Sequence, residues 1–257
     1  MSESCRYMPQ PESTPRGKAQ KVYRMCSYDI WRRELRKFKR TIRRRITIVD
    51  VGCGPGFLLS CIRSWFPDDE LLGVDASDEL LEVARSRCRT LSTIKGDACS
   101  LPLPDKSADV IFALHIVEHL ERPRDFLSQV WRVLRPGGLL VLATPNAKGL
   151  GARIMKSRWQ GFDDPTHISL NAPSFWRQAL QDAGLEIKND GTTGLSGVPI
   201  LNRMPFSLLH GIPGFFFGFY RWNLGEAYVC TAIKPPNQSS RLQVPESLDP
   251  VHETTRA

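Results

Sequence analysis

Short apolar segments alternate with helix-forming segments from residue 46 to residue 143, and this alternation limits the chain to few folds. The segment Ala108–Leu114 (ADVIFAL) is apolar almost throughout, which is typical of a strand buried on both faces of a parallel sheet. Parallel strands need long crossover connections, which helices supply. We therefore predict an α/β fold with a mostly parallel sheet and helices on both faces.

The predicted elements follow one another in regular order along the chain. Apolar runs are interpreted as strands, and segments with apolar residues three or four positions apart as helices. Strands are predicted at Ile46–Val51, Glu70–Asp75, Ser92–Lys95, Ala108–Leu114, Leu139–Ala143, Leu185–Asp190 and Ala227–Ile233. Helices are predicted at Phe57–Trp65, from a Ser77 cap to about Arg89, at Arg122–Leu134 before Pro136-Gly137-Gly138, and at Ala172–Ala183.

The predicted domain spans residues 21–234, and the polar segments 1–20 and 235–257 are expected to be disordered. Its first part, residues 21–45, is predicted to form a basic amphipathic helix. Residues 194–225 are rich in Pro, Gly and Phe, and we expect an apolar insertion that serves as a lid or a membrane contact. The apolar face of the basic helix comprises Trp31, Leu35, Phe38 and Ile42.

The charge and the cysteine content limit the functions that we expect of the chain. The net charge is +8, and residues 31–45 alone carry nine Lys or Arg residues and one acid, Glu34, so the rest of the chain is neutral. Basicity confined to one segment makes nucleic acid an unlikely partner. None of the seven cysteines forms a Cys-x-x-Cys pair, so we expect reduced thiols and a cytoplasmic protein. No apolar run is long enough to predict a membrane-spanning helix.

A glycine loop and two acids follow the first three predicted strands. The loop Val49–Gly56 (VDVGCGPG) links a strand to a helix, where free backbone N–H groups can bind a carboxylate. Asp75 ends the second strand, where a carboxylate can accept hydrogen bonds from both ribose hydroxyls. Asp97 follows the third strand and can accept from an adenine amino group. A dinucleotide site favours G-x-G-x-x-G, but Phe57 occupies the position of its third glycine.

The segments from about residue 46 to residue 186 resemble the class I S-adenosylmethionine-dependent methyltransferases. The likeness is to the small-molecule type, near the ubiquinone-biosynthesis methyltransferases. It rests on VDVGCGPG, LLGVDAS, IKGDACSLPLPDKSADVIFALHIVEHL, VLRPGGLLVLATPN and HISLNAPSFWRQALQDAGLE, in that order. The resemblance implies a Rossmann-like, seven-stranded sheet whose last strand runs antiparallel, with S-adenosyl-L-methionine as the cofactor.

The same resemblance implies a role for individual residues in holding the cofactor. The methionine part would be cradled by Asp50, Gly52, Gly54 and Gly56, and the ribose would be held by Asp75 with Ala76. The adenine would be flanked by Asp97 with Ala98, and the sulfonium would lie over Leu114 and His115.

Two histidines are the predicted catalytic residues, because histidine is suited to proton transfer near neutral pH. His119 follows the fourth strand, and His167 follows the fifth strand at the expected mouth of the crevice, where the resemblance also implies a histidine. The spacing His115-x-x-x-His119 can bind zinc on a helix. A third ligand is not evident in the sequence, and we predict no metal site.

These patterns predict an enzyme that methylates a small, apolar metabolite, with peripheral membrane contact through residues 194–225. Two alternatives remain: an RNA or protein methyltransferase that binds its substrate through residues 31–45, or a non-catalytic cofactor-binding partner subunit. A nicotinamide-dependent dehydrogenase is a more distant alternative. The sequence makes no prediction of oligomeric state.

Overall fold

A computed structural model describes residue 28, residues 30–193 and residues 223–236. Three sequence-based expectations therefore lie wholly or mostly outside the described residues. These are the disordered start at 1–20, residues 194–222 of the apolar insertion, and residues 237–257 of the disordered tail.

Seven strands form one sheet in the order β3-β2-β1-β4-β5-β7-β6. The first five strands of the chain pair in parallel. Strand β7 is antiparallel to both of its neighbours, which confirms the predicted fold class and the antiparallel last strand. The strands are β1 (Thr47–Val51), β2 (Glu70–Asp75), β3 (Ser92–Lys95), β4 (Ala108–Leu114), β5 (Leu134–Pro145), β6 (Glu186–Thr193) and β7 (Ala227–Ile233).

Helices cover both faces of the sheet and bury one apolar cluster on each. One cluster packs α4 and α7 against the sheet, through residues such as Phe126 and Trp176. The other packs the first three helices, through residues such as Leu35, Leu59 and Leu81. The helices are α1 (residues 30–40), α2 (Phe57–Trp65), α3 (Asp78–Arg87), α4 (Pro123–Val133), α5 (Leu150–Met155), α6 (Gln160–Asp163) and α7 (Pro173–Asp182). No helix among the described residues is long and apolar enough to cross a membrane.

The predicted basic helix at residues 21–45 was too long at its carboxyl end. Helix α1 stops at residue 40, where the Thr41 hydroxyl donates to the Phe38 carbonyl. Beyond it, Arg44 pairs with the buried Asp109 and thereby ties the segment before β1 to the start of β4. The basic residues at 43–45 thus belong to a connection and not to an amphipathic helix.

The predicted start of the fifth strand was also wrong. Pro136-Gly137-Gly138 was expected to stop a helix before a strand at Leu139. Instead β5 begins at Leu134 and includes the three residues. The Gly137 N–H donates to the Lys234 carbonyl at 2.7 Å, and the Lys234 N–H donates to the Gly138 carbonyl at 3.0 Å. These bonds to the end of β7 keep the glycines in the sheet.

Candidate functional site

A cleft of about 340 Å³ opens at the carboxyl ends of the parallel strands. The elements that surround it are the ends of β1, β2 and β3 and the segment that follows β4. This is the place where open α/β sheets bind ligands. Its lining comprises Val51, Gly52, Val74, Asp75, Ala76, Lys95, Gly96, Asp97, Ala98, Ile116 and Leu120.

Half of the predicted cofactor residues line this cleft. These are Gly52, Asp75, Ala76, Asp97 and Ala98. The other predicted residues do not line it, and they are Asp50, Gly54, Gly56, Leu114 and His115. The sequence reasoning missed Ile116 and Leu120, which form an apolar part of the wall. The only signal for them was their position in the connection after the fourth strand.

Asp75 ties the glycine loop to the end of β2. Its Oδ2 atom accepts a hydrogen bond from the Gly54 N–H at 2.8 Å, and its Oδ1 atom accepts from the Ser77 N–H at 3.0 Å. Each carboxylate oxygen retains a lone pair after one such bond. The half-buried carboxylate can therefore hold the loop and still accept further bonds from a ligand in the cleft.

The glycine loop runs close to the sheet and leaves open space in front of one residue. The Gly52 N–H donates to the Val74 carbonyl at 2.8 Å. Gly54 has φ +50°, a conformation that favours glycine, and a Cβ added there would meet nothing within 4 Å. The backbone at Gly54 is thus accessible to a ligand.

Asp50 is buried beneath the loop, with its side chain shielded from water. Burial, and next the negative charge of Asp75, raise the pKa of this carboxyl to about 8. The group is therefore largely protonated at neutral pH. A cationic group bound nearby would favour the ionised form.

Asp97 lies at the third strand end, as expected from the sequence. Its Oδ1 atom accepts a hydrogen bond from the Cys99 N–H at 2.8 Å, which fixes the turn after β3. The Gly96 N–H donates to the Asp75 carbonyl at 3.0 Å. This bond holds the second and third acids of the cleft at neighbouring strand ends.

The segment after β4 does not form the helix that a zinc-binding His115-x-x-x-His119 pair requires. His115 has φ +56°, in the left-handed region, and only Val117–His119 form a short helical turn. The His115 Nδ1 atom instead lies 3.1 Å from Oε1 of Glu118. The fully buried Glu118 also accepts a hydrogen bond from the Thr144 hydroxyl at 3.1 Å.

The two predicted catalytic histidines lie side by side, with ring centroids 4.8 Å apart. The Ser169 N–H donates to the Glu118 carbonyl at 2.9 Å and joins the two segments that carry them. Glu118, His119 and His167 bring one ligand atom each within 4.8 Å of one another. The sequence analysis did not single out Glu118, and its place beside His119 was the only signal for it.

Comparisons with known proteins find similarity to methyltransferases. Residues 49–142 match a family described as a methyltransferase domain. The chain is 32% identical over 157 residues to malonyl-[acyl-carrier protein] O-methyltransferase of Methylococcus capsulatus, which covers 59% of this chain and 56% of the relative. It is 35% identical over 98 residues to trans-aconitate 2-methyltransferase of Methylobacterium radiotolerans, which covers 38% of this chain and 37% of the relative.

These similarities are confined to part of each relative. The chain spans 30% to 56% of the length of such curated relatives. In fold, it resembles an S-adenosylmethionine-dependent methyltransferase from Archaeoglobus fulgidus. That comparison has a TM-score of 0.56 at 20% identity and covers 80% of this chain and 94% of the other. Together, the matched domain and the fold support a class I methyltransferase and imply S-adenosylmethionine as the cofactor.

Proposed function

We propose that the protein is an enzyme that transfers a methyl group from S-adenosylmethionine to a small acceptor. The observation that carries the proposal is the cleft at the strand ends, where Asp75 and Asp97 lie at successive strands and the Gly54 backbone faces open space. When bound, the cofactor supplies an electrophilic methyl carbon on a positively charged sulfur.

The chain's own residues fit such a cofactor on chemical grounds. Asp75 accepts bonds from the ribose hydroxyls, and Asp97 accepts from the adenine amino group. Ile116 and Leu120 provide apolar contacts for the nucleoside. The buried Asp50 suits a cationic amino group, because its carboxyl is largely neutral until a positive charge arrives. The remaining proposed contacts are Gly52, Gly56, Ala76, Ala98, Leu114 and His115.

His119 and His167 form the acceptor side of the proposed site. Each ring has its Nδ1 atom beside a carbonyl oxygen, which leaves Nε2 to accept a proton or bind a ligand. Holding the acceptor in line with the methyl group can supply roughly 7–11 kcal/mol of barrier lowering. Removal of a proton from a hydroxyl acceptor adds about 10²–10⁴-fold.

The acceptor itself is proposed to be a small, apolar molecule. The similarity to methyltransferases named for malonyl-[acyl-carrier protein] and for trans-aconitate supports a small acceptor group. The finer likeness to ubiquinone-biosynthesis methyltransferases rests on the sequence segments alone. Cytoplasmic location and membrane contact through residues 194–225 stay predictions. Flotation of the protein with anionic vesicles, compared with a variant that lacks residues 194–222, tests the membrane contact.

The experiment that tests the function has two stages. Calorimetry should show binding of S-adenosylhomocysteine and no binding of NAD. Incubation with methyl-labelled cofactor and fractionated metabolite extract should then transfer label to a small product, which mass spectrometry identifies. Label found in RNA or protein instead would support the alternative acceptor class. Binding without transfer to any fraction would support a partner subunit, and absence of binding would refute the proposal.

A further inference from the structure

We propose that Glu118, His119 and His167, here called the Glu-His-His cluster, bind one divalent first-row transition-metal ion. Their ligand atoms lie within 4.8 Å of one another, which is a spacing that a single ion can bridge with small side-chain adjustments. The three residues come from two segments, the helical turn after β4 and the loop before α7. The sequence argument against a metal was the lack of a third ligand, and the fold supplies it.

The hydrogen bonds of His119 leave its Nε2 atom with a lone pair. The Thr166 hydroxyl donates its proton to Asp164, so the Thr166 Oγ1 atom can only accept from His119 Nδ1 at 2.9 Å. The Thr166 carbonyl oxygen lies 3.2 Å from the same nitrogen and is also an acceptor. Nδ1 therefore carries the proton, and Nε2 is available as a ligand.

His167 has the same arrangement on the other side of the cluster. Its Nδ1 atom lies 2.7 Å from the Gly161 carbonyl oxygen, which can only accept. Its side chain is 14% exposed, so water has little access to the ring. One ring nitrogen of each histidine lies within 4.8 Å of the other and of a Glu118 oxygen, and a cation between these atoms would offset the repulsion of their lone pairs. Metal-ligating histidines are commonly oriented by such Nδ1–H bonds to carbonyl oxygens.

The burial and the hydrogen bonds of the Glu118 carboxylate also resemble those of a metal ligand. It is completely buried, and a buried carboxylate is costly unless a cation or several donors compensate its charge. His115 and the Thr144 hydroxyl each occupy one oxygen, and lone pairs remain on both. Within the described part of the chain, neither Lys nor Arg forms an ion pair with the Glu118 carboxylate, and His115 is the only basic residue paired with it.

A second carboxylate lies at the edge of the cluster. The Asp164 Oδ2 atom is 3.9 Å from His167 Nε2. This distance leaves Asp164 close enough to complete the coordination, directly or through water.

The ligand set indicates which ions fit. Two imidazole nitrogens and one carboxylate suit Zn²⁺, Mn²⁺ or Fe²⁺, whereas Mg²⁺ and Ca²⁺ prefer all-oxygen sites. Three protein ligands leave coordination positions open, as in catalytic sites. The segment that carries Glu118 and His119 also places Ile116 and Leu120 in the cleft wall. On the basis of the proposed function, we further infer that the ion contacts an oxygen of the acceptor and lowers the pKa of the acceptor's hydroxyl.

Metal titration of the full chain tests the site. The protein, purified without a polyhistidine tag and stripped with EDTA, is titrated calorimetrically with Zn²⁺ and Mn²⁺, with Mg²⁺ for comparison. We expect one transition-metal ion per chain and much weaker binding of Mg²⁺. His119→Ala and His167→Ala should each weaken binding at least about 100-fold, since even outer partners of metal ligands contribute 10–100-fold. The matched control His252→Ala should bind like the parent protein.

A second measurement tests the proposed ligands by spectroscopy. Visible absorption of the Co²⁺-loaded parent protein should show a ligand-field band that His167→Ala loses. Absence of stoichiometric binding, or equal binding by the His119, His167 and His252 variants, would overturn the proposal. S-adenosylhomocysteine binding is measured in the same samples. Retained nucleoside binding without metal binding refutes the metal site alone, and the reverse result refutes the proposed function alone.

Discussion

The two halves of the proposed site, one for the cofactor and one for the acceptor, are built differently. In the cofactor half, Asp75 bonds to Gly54 and Ser77, which are near it in the chain or at the next strand end. In the acceptor half, His119 contacts Thr166 across 47 positions of sequence. A local motif of glycines and acids therefore specifies the first half. The second half exists only because the segments after β4 and β5 fold against one another.

This difference predicts that two measurable properties depend on different parts of the proposed site. The cofactor half should control affinity for the nucleoside, and the acceptor half should control turnover. Substitutions of Asp75 and of His167 should therefore change different properties.

Asp75→Ala should produce the largest change and should act on cofactor affinity. The substitution removes the proposed bonds to two ribose hydroxyls, and bonds to a charged group are each worth about 1.5–3 kcal/mol. Calorimetry should show at least a ~100-fold loss of S-adenosylhomocysteine affinity. The control is Asp68→Ala, because Asp68 is an exposed acid that precedes the other end of β2. This variant should bind S-adenosylhomocysteine like the parent protein. Retained affinity in Asp75→Ala would contradict the ribose role.

His167→Ala should reduce turnover about 100-fold while cofactor affinity stays within twofold of the parent value. The imidazole lies on the acceptor side, where a proton acceptor or an ion ligand contributes on the order of 10²-fold or more. Single-turnover kinetics and calorimetry on the same sample measure the two quantities. An equal loss of affinity would show that the two halves are not separable, and unchanged turnover would exclude His167 from the site.

Gly54→Ala and Gly56→Ala form a matched pair within the cofactor half. Both glycines have positive φ, so each alanine costs about 1–2 kcal/mol of conformational strain. A Cβ at Gly56 would also lie 2.9 Å from the Cβ of Ala84 in α3, and such overpacking costs about 1–3 kcal/mol more. Urea unfolding should show Gly56→Ala to be the less stable variant by that margin. Equal stability would indicate that the α2–α3 contact can relax.

Asp50→Asn should have the smallest effect and should alter the pH dependence of stability. Because the folded-state pKa is raised to about 8, the protonated carboxyl stabilises the fold at low pH, and this stability is lost as pH rises from about 4 through 8. Without cofactor, the free energy of unfolding of the parent should fall by about 1–2 kcal/mol more than that of the variant between pH 6.5 and 8. Parallel pH profiles would show that Asp50 titrates normally.

Much of the cofactor half could be predicted from the chain alone. The strand at Ala227–Ile233 and the helix at Phe57–Trp65 have the predicted bounds, because apolar periodicity and helix-breaking residues act locally. The bonds of Gly137 and Gly138 to Lys234 were not predictable, since they join residues about a hundred positions apart. Residues with a sequence that is typical of a turn thus form part of a strand.

The sequence by itself determined the alternating α/β architecture, the glycine loop, and the acids at successive strand ends. Each of these follows from local residue order and from the rule that parallel strands end at one edge of a sheet. Only the tertiary structure decided that Glu118, His119 and His167 meet, and that Arg44 turns away from the basic helix to pair with Asp109. These contacts depend on packing between segments that are distant in the chain, and the spacing of residues in the sequence does not reveal such packing.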